Sequence, residues 1–114
     1  MLVRKKVSEP DGEIEVLLKA ADGMKAAGKF LLGRPLLDAG RLALVFDDEA
    51  GFHKDIAVKH QLRPLGGGWC VIDHAERTVR VSSTSQAFGR EPDRERTLRC
   101  FRECLPGYRC DGVD

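Results

Sequence analysis

The chain has 114 residues, with 19 basic and 18 acidic side chains and a formal net charge of +1. That length accommodates one compact domain around one modest core, and 42% apolar with 32% charged residues describes a globular chain rather than a disordered one. A balance so near zero gives the whole molecule no pull toward nucleic acid or anionic lipid, and no apolar run approaches the ~20 residues of a membrane helix.

The basic residues near the start are followed by no apolar run, so no secretory leader is expected. Cys70, Cys100, Cys104 and Cys110 are too sparse for a disulfide scaffold, and a cytoplasmic chain with reduced thiols is expected. The first seven residues read as a loose or edge-pairing start, and Pro10-Asp11-Gly12 as a turn. Ile14, Val16 and Leu18 alternate with Glu15, Leu17 and Lys19, which predicts a strand over 13–20. Residues 21–40 are less legible. Their alanines favour helix, but Gly23, Gly28 and Pro35 break it, leaving a short helical turn or a broad loop as alternatives.

Leu42, Leu44 and Phe46 fall on one face of a second strand and Ala43 and Val45 on the other, the pattern of a strand covered on both sides. Asp47-Asp48-Glu49 and Gly51 end it. A short helix fits Phe52 to about Leu62, closed by Pro64 and Gly66-Gly67-Gly68. Trp69–Asp73 and Arg77–Ser83 then read as a hairpin with Val79 and Val81 facing inward. A helix with Pro92 in its first turn carries Leu98, Phe101 and Leu105 at i, i+3 and i+7. Pro106-Gly107 stops it, and Tyr108–Asp111 fits a closing strand. The alternation predicts a single α/β domain, a mixed sheet flanked by two helices.

Three stretches bear on chemistry. His53 opens the first predicted helix, where the helix dipole and Lys54 disfavour a second positive charge and lower its pKa. It is either a surface histidine that starts a helix or a neutral imidazole able to act as nucleophile or general base. Ser83-Thr84-Ser85-Gln86-Ala87-Phe88-Gly89 joins a strand to a helix. It is either an ordinary polar loop or a set of backbone N–H groups that converge on an anion. Gly66-Gly67-Gly68 lacks the Gly-Lys-Ser/Thr ending of a nucleotide loop and alone reads as a flexible connector.

No metal site is expected: His53 and His60 stand about 10 Å apart along a helix, and the cysteines lack zinc spacing. The charges of residues 90–103 alternate in sign, which reads as a solvated, salt-bridged face rather than a nucleic-acid surface.

Taken in order, His53-x-Asp55-Ile56, Leu65-Gly66-Gly67-Gly68, Val79-x-Val81, Ser85-x-Ala87-Phe88-Gly89 and Leu105-Pro106-Gly107-Tyr108 resemble the small protein-histidine phosphatases, the phosphohistidine phosphatase or Janus/Ocnus family. The resemblance spans roughly residues 52–111. It implies a small α/β fold that needs no metal or other cofactor and removes phosphate from phosphohistidine in a protein or peptide, or from a related phosphoramidate. His53 matches the family's essential histidine, Ser85, Gln86 and Ala87 match the phosphate-holding loop, and Gly66, Gly67 and Gly68 match a segment lining the pocket.

The chain departs from the family at Trp69, where characterised members often carry a basic residue, and at Asp93, where they carry a second histidine. Lys19 and Lys29 are the two candidates for the family's substrate-holding lysine. The expected partner is a phosphorylated protein or small phosphoramidate bound by a monomer, with a non-catalytic phosphopeptide-binding module as the alternative on the same fold.

Overall fold

The computed structural model describes residues 1–113. Seven strands, β1 (Leu2–Glu9), β2 (Gly12–Lys19), β3 (Lys25–Pro35), β4 (Leu42–Asp47), β5 (Leu62–Asp73), β6 (Thr78–Ser82) and β7 (Arg109–Gly112), form one sheet in the order β1-β2-β4-β3-β5-β6-β7. Pairings β2–β4 and β6–β7 are parallel and the rest antiparallel, so the sheet is mixed. Helices α1 (His53–Lys59) and α2 (Arg94–Cys104) flank it on opposite faces.

The two faces bury unequal cores. On the larger, Leu18, Phe30, Leu44, Phe46, Val79 and Val81 lie beneath Leu98 and Phe101 of α2. Phe30 and Phe101 meet edge to face with centroids 6.2 Å apart, and each such buried side chain is worth about 1.5–3 kcal/mol. Helix α2 touches β1 and β2 near one edge of the sheet and β7 at the other, so the sheet curls around it. The smaller core packs Leu31, Ala43, Val45 and Leu62 against Ile56 and Ala57 of α1.

Residues 21–40 hold neither a helical turn nor a broad loop: β3 occupies most of them, near the centre of the sheet. Ala26, Gly28 and Phe30 are buried while Lys25, Ala27 and Lys29 are not, a strand alternation written in small residues. Gly28 is required by contact, since a Cβ there would lie 2.7 Å from Asp48 Cα.

The triple glycine is not a flexible connector either. It lies inside β5, which begins at Leu62 rather than Trp69. Helix α1 is correspondingly shorter than the 52–62 span, because Gln61 at φ 55° turns the chain into β5. Helix α2 starts after Pro92, with Asp93 as its N-cap accepting from Arg96 N at 3.1 Å.

All four cysteines are free and buried. Burial pushes the Cys100 thiol up to about 12 and that of Cys104 to about 11, which keeps both protonated and unreactive near neutral pH. Among the described residues no helix is long and apolar enough to cross a membrane.

Candidate functional site

His53 is a buried residue, 8% exposed, rather than a surface histidine. As the first residue of α1 it turns inward onto β5, where Nε2 lies 2.9 Å from the carbonyl oxygen of Gly68. A carbonyl only accepts, so the neutral ring carries its proton on Nε2 and keeps the lone pair on Nδ1. The glycine run makes this approach possible. A Cβ on Gly67 would lie 3.0 Å from His53 Cδ2 and 2.2 Å from Phe30 O, and one on Gly68 would lie 2.5 Å from Ser82 O. Gly66 has φ +148°, and a Cβ there would meet the Arg90–Glu91 backbone at 2.5 Å.

The loop after β6 is tied to the same glycines. Ser85 N donates to Gly67 O (3.0 Å), Gly67 N to Gly89 O (2.9 Å), and Gly89 N to Ser85 O (2.9 Å). Phe88 N donates to Ser85 Oγ at 3.1 Å, and the Phe88 side chain packs on the smaller core. These bonds close residues 85–89 into a tight turn, at whose crest the backbone N–H groups of Gln86 and Ala87 have no partner among the described residues. Below the turn, Arg94 Nη2 donates to Ser83 O at 2.9 Å.

Arg94 is itself paired with Glu91 through two bonds of 2.8 Å. Thr97 Oγ1 adds one of 2.6 Å to the same carboxylate. Glu91 and Arg94 are 2% and 8% exposed, so this part of the charge-alternating stretch is a buried brace under the loop and not a solvated face.

A cavity of about 540 Å³ gathers these elements: His53, Gly68, Gln86 and Ala87 line it together with Lys29, Phe52, Lys54, Trp69 and Ser83. Of the expected phosphate-loop residues, Gln86 and Ala87 face the cavity. Ser85 does not: it is 2% exposed, with its N–H and hydroxyl both spent inside the turn. Of the glycines, Gly68 lines the cavity while Gly66 and Gly67 back it.

Between the two candidate lysines, Lys29 is at the site; Lys19 pairs in register with Asp47 on the β2–β4 side. Both lysines stand beside a buried apolar residue on an alternating strand, Leu18 and Phe30, so local spacing does not separate them. Asp93 is the helix cap and lies outside the cavity wall.

The His53 pKa lies below the usual histidine value, chiefly because burial disfavours the charged ring. The Gly68 carbonyl opposes that effect and the nearby Lys29 charge adds to it. The direction agrees with the sequence reading, and burial and the Lys29 charge are causes that the sequence did not supply.

The cavity is thus lined by two lysines, by the neutral His53 and by the two residues whose amides are unpartnered among the described residues, and none of its lining residues is acidic. Such an arrangement attracts an anion and presents a nucleophile or base to it. Among the described residues no group of three or more His, Cys, Asp or Glu side chains is placed to hold a metal ion. No protein-family model matches the chain, and no curated protein matches it either.

Proposed function

We propose that the protein is a phosphohydrolase that removes the phosphoryl group from phosphohistidine in a protein or peptide, or from a related phosphoramidate. The observation that carries the reading is the hydrogen bond from His53 Nε2 to Gly68 O, which leaves Nδ1 unprotonated in a cavity shared with the Gln86 and Ala87 amides. The amides and Lys29 hold the phosphoryl oxygens. His53 Nδ1 attacks phosphorus as the P–N bond breaks, and the departing imidazole nitrogen takes a proton from water. Water then cleaves the new P–Nδ1 bond, releasing phosphate. Alternatively Nδ1 takes the proton of an attacking water and no covalent intermediate forms.

The depressed pKa supports either route, because it favours the neutral ring with Nδ1 unprotonated at neutral pH. The ordered resemblance of residues 52–111 to the small protein-histidine phosphatases supports the substrate class. The test is phosphate release from a phosphohistidine peptide in excess EDTA: the native protein turns over and His53→Ala does not. Native-like turnover in His53→Ala contradicts the mechanism. Phosphate-induced shifts at the Gln86 and Ala87 amides with no turnover in the native protein would assign the pocket to phosphopeptide binding alone. Acid-labile label trapped on the protein, and lost in His53→Ala, selects the covalent route.

A further inference from the structure

Lys29 and Trp69 face each other across the antiparallel pairing of β3 and β5. The Lys29 ammonium lies 5.4 Å from the centroid of the Trp69 ring. Trp69 is 37% exposed on a strand whose neighbouring residues Gly68 and Cys70 are buried, so the ring stands at the cavity mouth. Lys54 repeats the arrangement elsewhere in the cavity lining, 5.5 Å from the centroid of the Phe52 ring.

Among the described residues neither lysine has a carboxylate within ion-pair distance. Asp48 packs against the neighbouring Gly28, and Asp47 is the β4 partner of Lys29 in register. The Asp47 Oδ2 is instead engaged by Lys59 at 3.0 Å and approached by His60 at 3.4 Å.

An aromatic face and a carboxylate both hold an ammonium in place, with different consequences for a ligand. A carboxylate cancels the lysine's charge and repels an incoming phosphoryl group. An indole attracts the cation through its quadrupole and adds no net charge. We propose that Trp69 is a positioning residue for Lys29, holding its ammonium at the cavity mouth in place of an acidic partner so that the full charge meets a dianionic phosphoryl group. The inference rests on the phosphoryl-binding reading of the cavity and adds the ligand class: terminal, doubly charged phosphoryl groups. The Lys29 charge is felt inside, since it lowers the His53 pKa.

Trp69 is the only tryptophan in the chain, which makes the pair directly observable. In the native protein the Lys29 side-chain methylene protons carry upfield ring-current shifts. These collapse to random-coil values in Trp69→Leu and survive in Trp69→Phe. The dissociation constant for inorganic phosphate, read from the Gln86 and Ala87 amides, rises about three- to tenfold in Trp69→Leu and about twofold or less in Trp69→Phe. Phosphate changes Trp69 fluorescence in the native protein, and the change disappears in Lys29→Met.

A folded Trp69→Leu that binds phosphate with the native constant overturns the inference, and so do unshifted Lys29 protons in the native protein. If Trp69→Leu fails to fold, the native ring-current shifts and the Lys29→Met fluorescence titration decide. Absence of any phosphate-induced shift at Gln86 and Ala87 in the native protein removes the phosphoryl-binding reading itself. That outcome is distinct from native amide shifts that Trp69→Leu leaves unweakened.

Discussion

Two hollows of similar size lie on this molecule, and positive charge alone does not tell them apart. One, of about 500 Å³, is lined by Arg4, Lys6, Glu15, Leu17, Val45 and His60 among others. The other, of about 540 Å³, contains His53. The first has an acidic residue in its wall, Glu15, ion-paired with Arg41, and its histidine is turned toward Asp47. Its basic residues Arg4 and Lys6 stand exposed on the edge strand. In the second, two lysines rest on aromatic rings, two backbone N–H groups have no partner among the described residues, and a buried imidazole keeps one nitrogen free. An anion site is marked by donors of different kinds converging with no carboxylate in the wall they share. Such an arrangement costs folding stability, through desolvation and repulsion, until a ligand offsets it.

The largest expected effects would break this contrast if they failed. His53→Ala lowers turnover of a phosphohistidine peptide by about 10²–10⁴-fold, measured as phosphate release, whereas His60→Ala in the first hollow changes it by less than about twofold. Arg94→Met leaves the Glu91 carboxylate buried and unpaired, and destabilises the fold by about 3–5 kcal/mol in urea titrations. Arg41→Met breaks the half-exposed pair with Glu15 and costs less than about 1 kcal/mol.

A third, smaller effect is on pH. Because the folded His53 pKa lies below the unfolded value near 6.5, the unfolded chain takes up the proton first as pH falls. The contribution of His53 to stability is therefore complete above about 6.5 and is lost as pH drops from there toward the folded value. The acid limb of the kcat/KM profile accordingly falls below pH 6.5. A limb at or above the free-histidine value would contradict a buried neutral ring. Smallest is the cap: Asp93→Ala should cost about 1 kcal/mol in thermal or urea unfolding while leaving the phosphate affinity of the Gln86–Ala87 turn near native.

What could be read from the sequence followed how local the determinants are. Strands β2 and β4 and helix α2 announce themselves by apolar periodicity, and their faces bury as that periodicity requires. Strand β3 hides because Ala26 and Gly28 carry its inward face, and small residues look the same in a loop. What demands Gly28 is the backbone of Asp48, some twenty residues further along the chain.

Gly66-Gly67-Gly68 misleads in the same way: the run looks pliable, yet Phe30, Ser82 and the Arg90–Glu91 backbone crowd each position. Ser85 sits in the loop that the motif marks, but its hydrogen-bonding groups face inward and build the turn whose neighbours are exposed. The Glu91–Arg94–Thr97 brace reads as surface charge until the chain folds it over Phe30, whose ring lies 5.4 Å from the Arg94 guanidinium. His53 was legible only as a choice between a surface histidine that starts a helix and a neutral imidazole. Burial against Gly68 and proximity to Lys29 come from strands distant in sequence, so neither could be read locally.

The most direct test is a phosphate titration of the metal-free protein followed by amide and imidazole nitrogen NMR. The account predicts that Gln86 and Ala87 show the largest amide shifts and that the His53 ring nitrogens move with the same saturation curve, Nδ1 starting unprotonated. Saturable shifts confined to the Arg4 and Lys6 hollow, or a His53 ring indifferent to phosphate while Gln86 and Ala87 respond, would contradict it.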